Sequence, residues 1–241
     1  MHSSSTTFGK GKVSMKTMIK KMLVKSPVKY SERMDVLLRL NLLKSWINDH
    51  QPHPYFKTRE ELYAHVANEV VGNKPISFLE FGVYKGDSIG YWAELNTHGE
   101  SEFFGFDSFE GLPEKWVNIG SILDKGYFST DGIIPETNDE RVSFIKGWFN
   151  NTLPVFLNNF SSNDQLIIHC DADLYHSTLF VLCSLDYHIK PGVIIIFDDF
   201  SSILHDFRAL ADYSRSFQRK YEVLGASGRY YYEQVAIKIT E

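Results

Sequence analysis

From Thr58 onward, short apolar runs and runs with helical spacing take turns along the chain. "ISFLEFG", "SEFFGFD", "RVSFIKGWF", "QLIIHCD" and "VIIIFDD" read as strands, rich in β-branched or aromatic residues and bounded by turn formers. Between them, "DSIGYWAELN", "TLPVFLNNF" and "STLFVLCSLDYHI" carry helical spacing. "TREELYAHVANEVV" precedes the first strand as a helix, with Thr58 as its N-cap and Glu61 completing a capping box. "SILHDFRALADYSRSFQRK" follows the fifth strand as a long helix. Strands separated by helices run parallel, so the pattern predicts a doubly wound α/β sheet, mostly parallel, with helices on both faces. "YEVLGA" and "YYYEQVAIKI" have only the turn signal "SGR" between them. They predict an antiparallel C-terminal edge hairpin.

Two stretches break the alternation. "SFEGLPEKWVNIGSILDKGYFSTDGIIPETNDE" holds glycine, proline and aromatic residues with weak periodicity. A connection this long is a lid, a binding loop or a disordered insertion. A lid-like insertion at about 112–140 is the expectation, with Trp116, Tyr127 and Phe128 excluding water from an acceptor. The other stretch is residues 1–57, a basic arm and helical appendage ahead of a main domain at 58–241. Within it, "VSMKTMIKKMLVK" suits a lead-in helix or solvated arm, against a second reading in which its basic amphipathic face meets an anionic membrane or a partner. "SERMDVLLRLNLLKSWI" continues as a helix with Ser31 as its N-cap. Lys-rich on one side and apolar on the other, these helices make a homodimer plausible.

Composition narrows the classes. The 241 residues, 43% hydrophobic, suffice for one large core, and a net charge of -5 leaves no footprint for nucleic acid. The 2 cysteines, Cys170 and Cys183, read as buried free thiols in a reducing, cytoplasmic setting. No apolar run approaches the length of a membrane span.

The candidate chemistry sits at the strand tips. Glu80, Asp107, Asp171, Asp198 and Asp199 all fall at the carboxyl ends of predicted strands, where open α/β sheets bind ligands. In "DADLYHST" and "VIIIFDDF" like charges crowd together, which demands a cation, a substrate or ample solvent. At the first strand-to-helix turn, "FLEFGVYKGDSIGYW" places Gly82 for a tight turn and Gly86 at a helix start whose amides face an anionic group. The spacing is not that of the dinucleotide fingerprint, because Val83 and Tyr84 follow the first glycine. Asp107 stands where an ionised carboxylate accepts from ribose hydroxyls.

The E-x-G-x-x-x-G motif resembles the first motif of class I S-adenosylmethionine-dependent methyltransferases. "EFGVYKGDS", "FGFDSFEGLP", "KGWFNNTLP", "DADLYHST" and "PGVIIIFDDF", in that order, resemble the macrocin O-methyltransferase family, which methylates sugar hydroxyls. The similarity covers about 78–200. It implies a Rossmann-like methyltransferase fold, an S-adenosylmethionine donor, a hydroxylated small-molecule acceptor such as a sugar or glycoside, and Mg2+ or another hard divalent cation. Carried over residue by residue, it assigns donor binding to Glu80, Gly82, Val83, Tyr84, Gly86, Ser88, Asp107, Ser108 and Asp171. Lys146, Gly147 and Trp148 would lie near the adenine. Pro191-Gly192-Val193, Asn151 and Phe200 depart from the family's usual residues and mark a divergent member with its own substrate.

Methyl transfer to an alcohol needs an oxygen that sheds its proton near neutral pH, and a hard cation both positions hydroxyls and stabilises the developing charge. The resemblance implies Asp171, Asp198 and Asp199 as cation ligands, with Asp171 also the general base. Asp173 competes for the first position, although Asp171 follows directly on its strand. His169 and His176 flank the cluster and receive no role. The rival reading is a non-catalytic, cofactor-binding partner protein in a biosynthetic cluster.

Overall fold

The computed structural model describes residues 15–24, 28–162, 165–229 and 232–241. The Ser/Thr-rich opening with Lys10 and Lys12 lies outside them, as do Tyr230 and Tyr231 of the last predicted strand. The chain forms two compact units, Met1–Leu38 and Arg39–Glu241. In the first, helix α1 (Met15–Val24) leaves Met15, Met18, Ile19 and Met22 exposed. Helix α2 (Val28–His50) begins ahead of Ser31, which therefore sits inside its first turn and does not cap it.

The second unit opens with the end of α2, where Trp46 donates to the Tyr221 hydroxyl (2.9 Å) and packs on Phe200. Next come β1 (Tyr55–Phe56) and α3 (Arg59–His65), which continues as a π-helical turn, Val66–Val71. Thr58 caps α3 by accepting from the Glu61 amide (3.3 Å), while the Glu61 carboxylate reaches the Lys57 amide (2.9 Å). The reciprocal cap forms, shifted by one residue on its return arm.

There follow β2 (Ile76–Phe81), α4 (Asp87–Leu95), β3 (Glu102–Asp107), and a two-stranded antiparallel ribbon of β4 (Trp116–Asn118) and β5 (Ser121–Leu123). Beyond it run β6 (Val142–Lys146), α5 (Phe149–Leu157), β7 (Gln165–Cys170), α6 (Tyr175–Leu185) and β8 (Ile194–Phe197). The chain ends with α7 (Asp206–Phe217), β9 (Tyr221–Ser227) and β10 (Gln234–Ile239).

The main sheet has the order β1-β9-β10-β8-β7-β2-β3-β6. From β2 the winding steps outward to β3 and β6, then restarts on the other side at β7, so the switch point lies between β2 and β7. The C-terminal hairpin is antiparallel as expected, with β10 bonded to both β8 and β9. It does not form the outermost edge, because β1 adds parallel to β9. Two residues carry no readable periodicity, which hid β1 in the sequence.

All six residues of β2 are buried, and Trp92 of α4 packs its ring 5.1 Å from Phe78 and 5.7 Å from Tyr63. Each such aromatic contributes about 2–3 kcal/mol through burial. Of the two thiols, Cys170 is buried but Cys183 is exposed. Its position falls off the inward stripe of α6, formed by Thr178, Val181, Leu182 and Leu185. Among the described residues no helix is long and apolar enough to cross a membrane.

Candidate active site

A cleft of about 850 Å3 opens at the switch point, lined by the tips of β2, β3, β7 and β8 and by the start of α3. On one side lies the loop between β2 and α4. Gly82 has φ +98, and a Cβ there would overlap the backbone carbonyl of Asp171, so only glycine lets the two strand ends meet. Asp107 organises this loop. Its Oδ2 accepts from the amides of Val83 (2.9 Å) and Tyr84 (2.8 Å), and its Oδ1 from Phe109 (2.8 Å). Three backbone donors take two acceptor positions on Oδ2 and one on Oδ1, so a further position remains on Oδ1.

Of the residues assigned to the donor, Gly82, Val83, Tyr84, Ser88, Asp107, Ser108, Trp148 and Asp171 line the cleft. Four others stand behind it. Glu80 is fully buried beneath the floor, where its Oε1 accepts from Ser88 Oγ (2.5 Å) and meets His169 Nδ1 (2.9 Å), while Oε2 finds no partner among the described residues. Gly86 caps α4 with φ +83. The Gly147 amide donates to the Asp107 carbonyl (2.8 Å). Lys146, expected near the adenine, turns its amine to the Gly132 carbonyl (2.6 Å) and so ties down the long connection instead.

The opposite side is acidic. Asp171, Asp198 and His169 offer ligand atoms within 4.8 Å of one another. Burial, then repulsion from Asp198, Asp173, Asp199 and Glu80, pushes the Asp171 carboxyl well above its ordinary range. Asp199 lines the same cleft but faces Asp173, with which it shares a hydrogen bond. Burial and that contact push Asp173 up to about 9, so Asp173 holds the proton and Asp199 accepts it. Behind them Asp206, fully buried and accepting from Thr178 Oγ1 (2.7 Å), is lifted to about 8 by burial and by Asp199.

Asp198 is held from α3. Tyr63 Oη donates to its Oδ1 (2.7 Å) and Arg59 Nη1 to its Oδ2 (3.2 Å). His169 Nε2 lies 2.9 Å from the same Tyr63 oxygen. Because Tyr63 gives its only proton to Asp198, that oxygen is left to accept from His169 Nε2. Both ring nitrogens of His169 are therefore engaged, Nδ1 with Glu80, and the carboxylate oxygens of Asp171 and Asp198 remain as the ligand atoms that face the cleft.

The long connection closes over the acidic side. Trp116 donates Nε1 to the Asp173 carbonyl (3.1 Å) and stacks on His205 (5.5 Å between ring centroids). His205 Nε2 lies 2.9 Å from the Val117 carbonyl, and Asn118 donates to Ser202 Oγ (3.1 Å). Phe128 lines the cleft and packs edge-on against Tyr84, whereas Tyr127 and Trp116 stand outside the lining. His176 Nδ1 meets Glu114 at 3.0 Å, both exposed at the mouth.

Sequence reasoning passed over Arg59, Tyr63, His205 and Asp206. One signal existed. Arg59 stands at the first helical position after Thr58, where a cation opposes the helix dipole and so asks for an acidic partner.

An open parallel sheet with a loop-and-acid cradle on one strand tip and clustered carboxyls on the next defines a ligand-binding α/β protein of the doubly wound class. Residues 79–200 match the Methyltransferase domain family, about half of the chain, and the chain belongs to that family. A curated relative from Streptomyces olivaceus, an 8-demethyl-8-(2,3-dimethoxy-α-L-rhamnosyl)-tetracenomycin-C 4'-O-methyltransferase, is 29% identical over 160 residues. The match takes in 56% of this chain and 58% of that protein. The solved O-methyltransferase NovP superposes with a TM-score of 0.57 at 23% identity, covering 76% of this chain and 80% of its own. The calicheamicin methyltransferase CalS11 gives 0.55 at 19% identity over 98% of this chain and 99% of its own. These two likenesses establish the shared fold.

Proposed function

We propose that this protein transfers a methyl group from S-adenosylmethionine to a hydroxyl of a sugar or glycoside, assisted by a divalent cation. One observation carries the reading: the Asp107-organised loop and the carboxyls of Asp171 and Asp198 converge on a single cleft. The rhamnosyl acceptor in the name of the Streptomyces relative supports a sugar as the acceptor class.

The residues fit a methyl donor and a cation. Asp107 keeps one acceptor position, on Oδ1, toward a ribose hydroxyl, and the start of α4 presents positive partial charge to a carboxylate. S-adenosylmethionine, when bound, supplies the electrophilic methyl group. On the acidic side, Asp171 and Asp198 would hold a divalent ion through hard carboxylate oxygens, and its charge would offset the burial and mutual repulsion that raise the Asp171 carboxyl. Such an ion, when bound, supplies Lewis acidity that lowers the pKa of an acceptor hydroxyl.

The chain's own groups then divide the work. A carboxylate oxygen of Asp171, on the strand tip beside the donor loop, takes the hydroxyl proton. Tyr63 fixes the rotation of Asp198, and Asp199 with Asp173 walls the acceptor side. Leu112, Pro113 and Phe128 keep water from the transferring methyl group. The lid role of 112–140 is part of this proposal.

Calorimetric titration with S-adenosylmethionine, then turnover of a panel of hydroxylated acceptors with Mg2+ or with chelator, tests the reading. Micromolar donor binding and chelator-sensitive methylation are expected. Donor binding with no turnover on any acceptor leaves a cofactor-binding module, and turnover that survives the chelator removes the cation.

A further inference from the structure

The guanidinium of Arg59 stands inside the cleft, against the carboxylate that the proposed function gives to a cation. Its backbone is fixed at the first position of α3 by the Thr58–Glu61 cap. Four residues on, along the same helix face, comes Tyr63. The two side chains divide Asp198 between them: Tyr63 bonds Oδ1 from a fully buried position, and Arg59 bonds Oδ2 from one about a third exposed. Gln234 Nε2 holds the Asp198 backbone carbonyl as well (3.0 Å), so the residue is anchored without Arg59.

We infer that Arg59 is an exchangeable counterion for Asp198: it occupies Oδ2 while no divalent cation is held, and it must withdraw when one binds. The inference rests on the cation reading of the cleft. Oδ1 is not exchangeable, since its partner Tyr63 is locked between His169 and Trp92. Oδ2 faces the cleft and, among the described residues, its bond comes from a long, flexible side chain. A resting place for the withdrawn guanidinium already exists, because Arg59 Nε lies 3.3 Å from Glu60 Oε1 at the solvent edge.

A divalent ion at Oδ2 and a guanidinium 3.2 Å from the same oxygen repel each other across a few ångströms, too close for salt to screen fully. Arg59 therefore weakens cation binding and keeps a buried carboxylate satisfied between turnovers. It is a positioning residue for cation loading.

The test is Mn2+ binding, read by the paramagnetic resonance of the free ion, with S-adenosylhomocysteine present. Arg59→Gln should bind Mn2+ about tenfold or more tightly than the wild type at low ionic strength. Arg59→Lys, which keeps the charge, should stay within about threefold of the wild type. Unchanged or weaker Mn2+ binding by Arg59→Gln overturns the inference and leaves the cation reading standing. If neither the wild type nor the variant binds Mn2+ at millimolar concentration, the cation reading fails and takes the inference with it. A measurement without substitution covers a variant that folds poorly. Saturation of the wild type with Mg2+ should speed hydrogen exchange of the Arg59 guanidinium, and a guanidinium unchanged by bound Mg2+ sinks the exchange.

Discussion

The two sides of the cleft solve the same electrostatic problem in opposite ways. On the donor side a single carboxylate, Asp107, is surrounded by three backbone amides, and its loop is complete without any ligand. On the acidic side Asp171, Asp173, Asp198 and Asp199 lie together with few donors among them: burial and neighbouring carboxyls raise Asp171 and Asp173, while Arg59 and Tyr63 bond Asp198. The donor side is built as a finished receptacle. The acidic side is crowded with carboxyls that a positive ligand would relieve, and this contrast supports the proposed division between methyl donor and cation.

Breaking the acidic side alone gives the largest expected effect. Asp171→Asn should lower the rate of methyl transfer about 10^3-fold while changing donor affinity by less than about threefold. Steady-state kinetics beside donor calorimetry reads both, and a matching loss of donor binding would dissolve the division. Breaking the donor side comes next. Asp107→Asn turns an amide NH2 toward backbone N–H groups, so donor affinity should fall about 10- to 100-fold with Mn2+ binding unaltered.

A smaller effect separates the lid from both halves. Replacing residues 116–123 by a short Gly-Ser linker should raise the acceptor KM about tenfold and leave the donor Kd alone. Equal losses in both constants count against a lid. The smallest effect concerns pH. Burial lifts Asp206 to about 8 from an ordinary 3.8, so the folded chain holds this proton more tightly than the unfolded one. In chelator, the Asp206 contribution to wild-type stability should therefore fall as pH rises from about 4 to about 8. Asp206→Asn keeps an acceptor for Thr178 but cannot ionise, and its melting temperature should fall less steeply over that range, with Asp171 and Asp173 supplying the slope that remains. Parallel melting profiles for the two proteins would show that Asp206 is not the buried proton.

The regular part of this fold was readable because its signals are local. Each buried strand is a run of β-branched or aromatic residues closed by an acid or glycine, and each crossover helix carries its own stripe. The acids at the strand tips were readable for the same reason. What stayed hidden depends on pairing across distance. Tyr63 looks like one more apolar position in a helix until α3 is seen crossing the tip of β8. Arg59 reads as a surface charge. The ribbon of β4 and β5 is three residues on each side and leans on His205 and Ser202, partners that lie far along the chain. Cys183 was missed by one step of helical phase, and Ser31 by about a turn in placing the helix start.

Gly82 rests against the carbonyl of Asp171 with no room for a single carbon atom between them. The loop proposed to orient the methyl group and the strand tip proposed to accept the proton are therefore registered like two teeth of one gear, through main chain and not through side chains. On that proposal, diversification among acceptors would fall to the span 112–140, where residues could be exchanged while the reacting atoms kept their alignment.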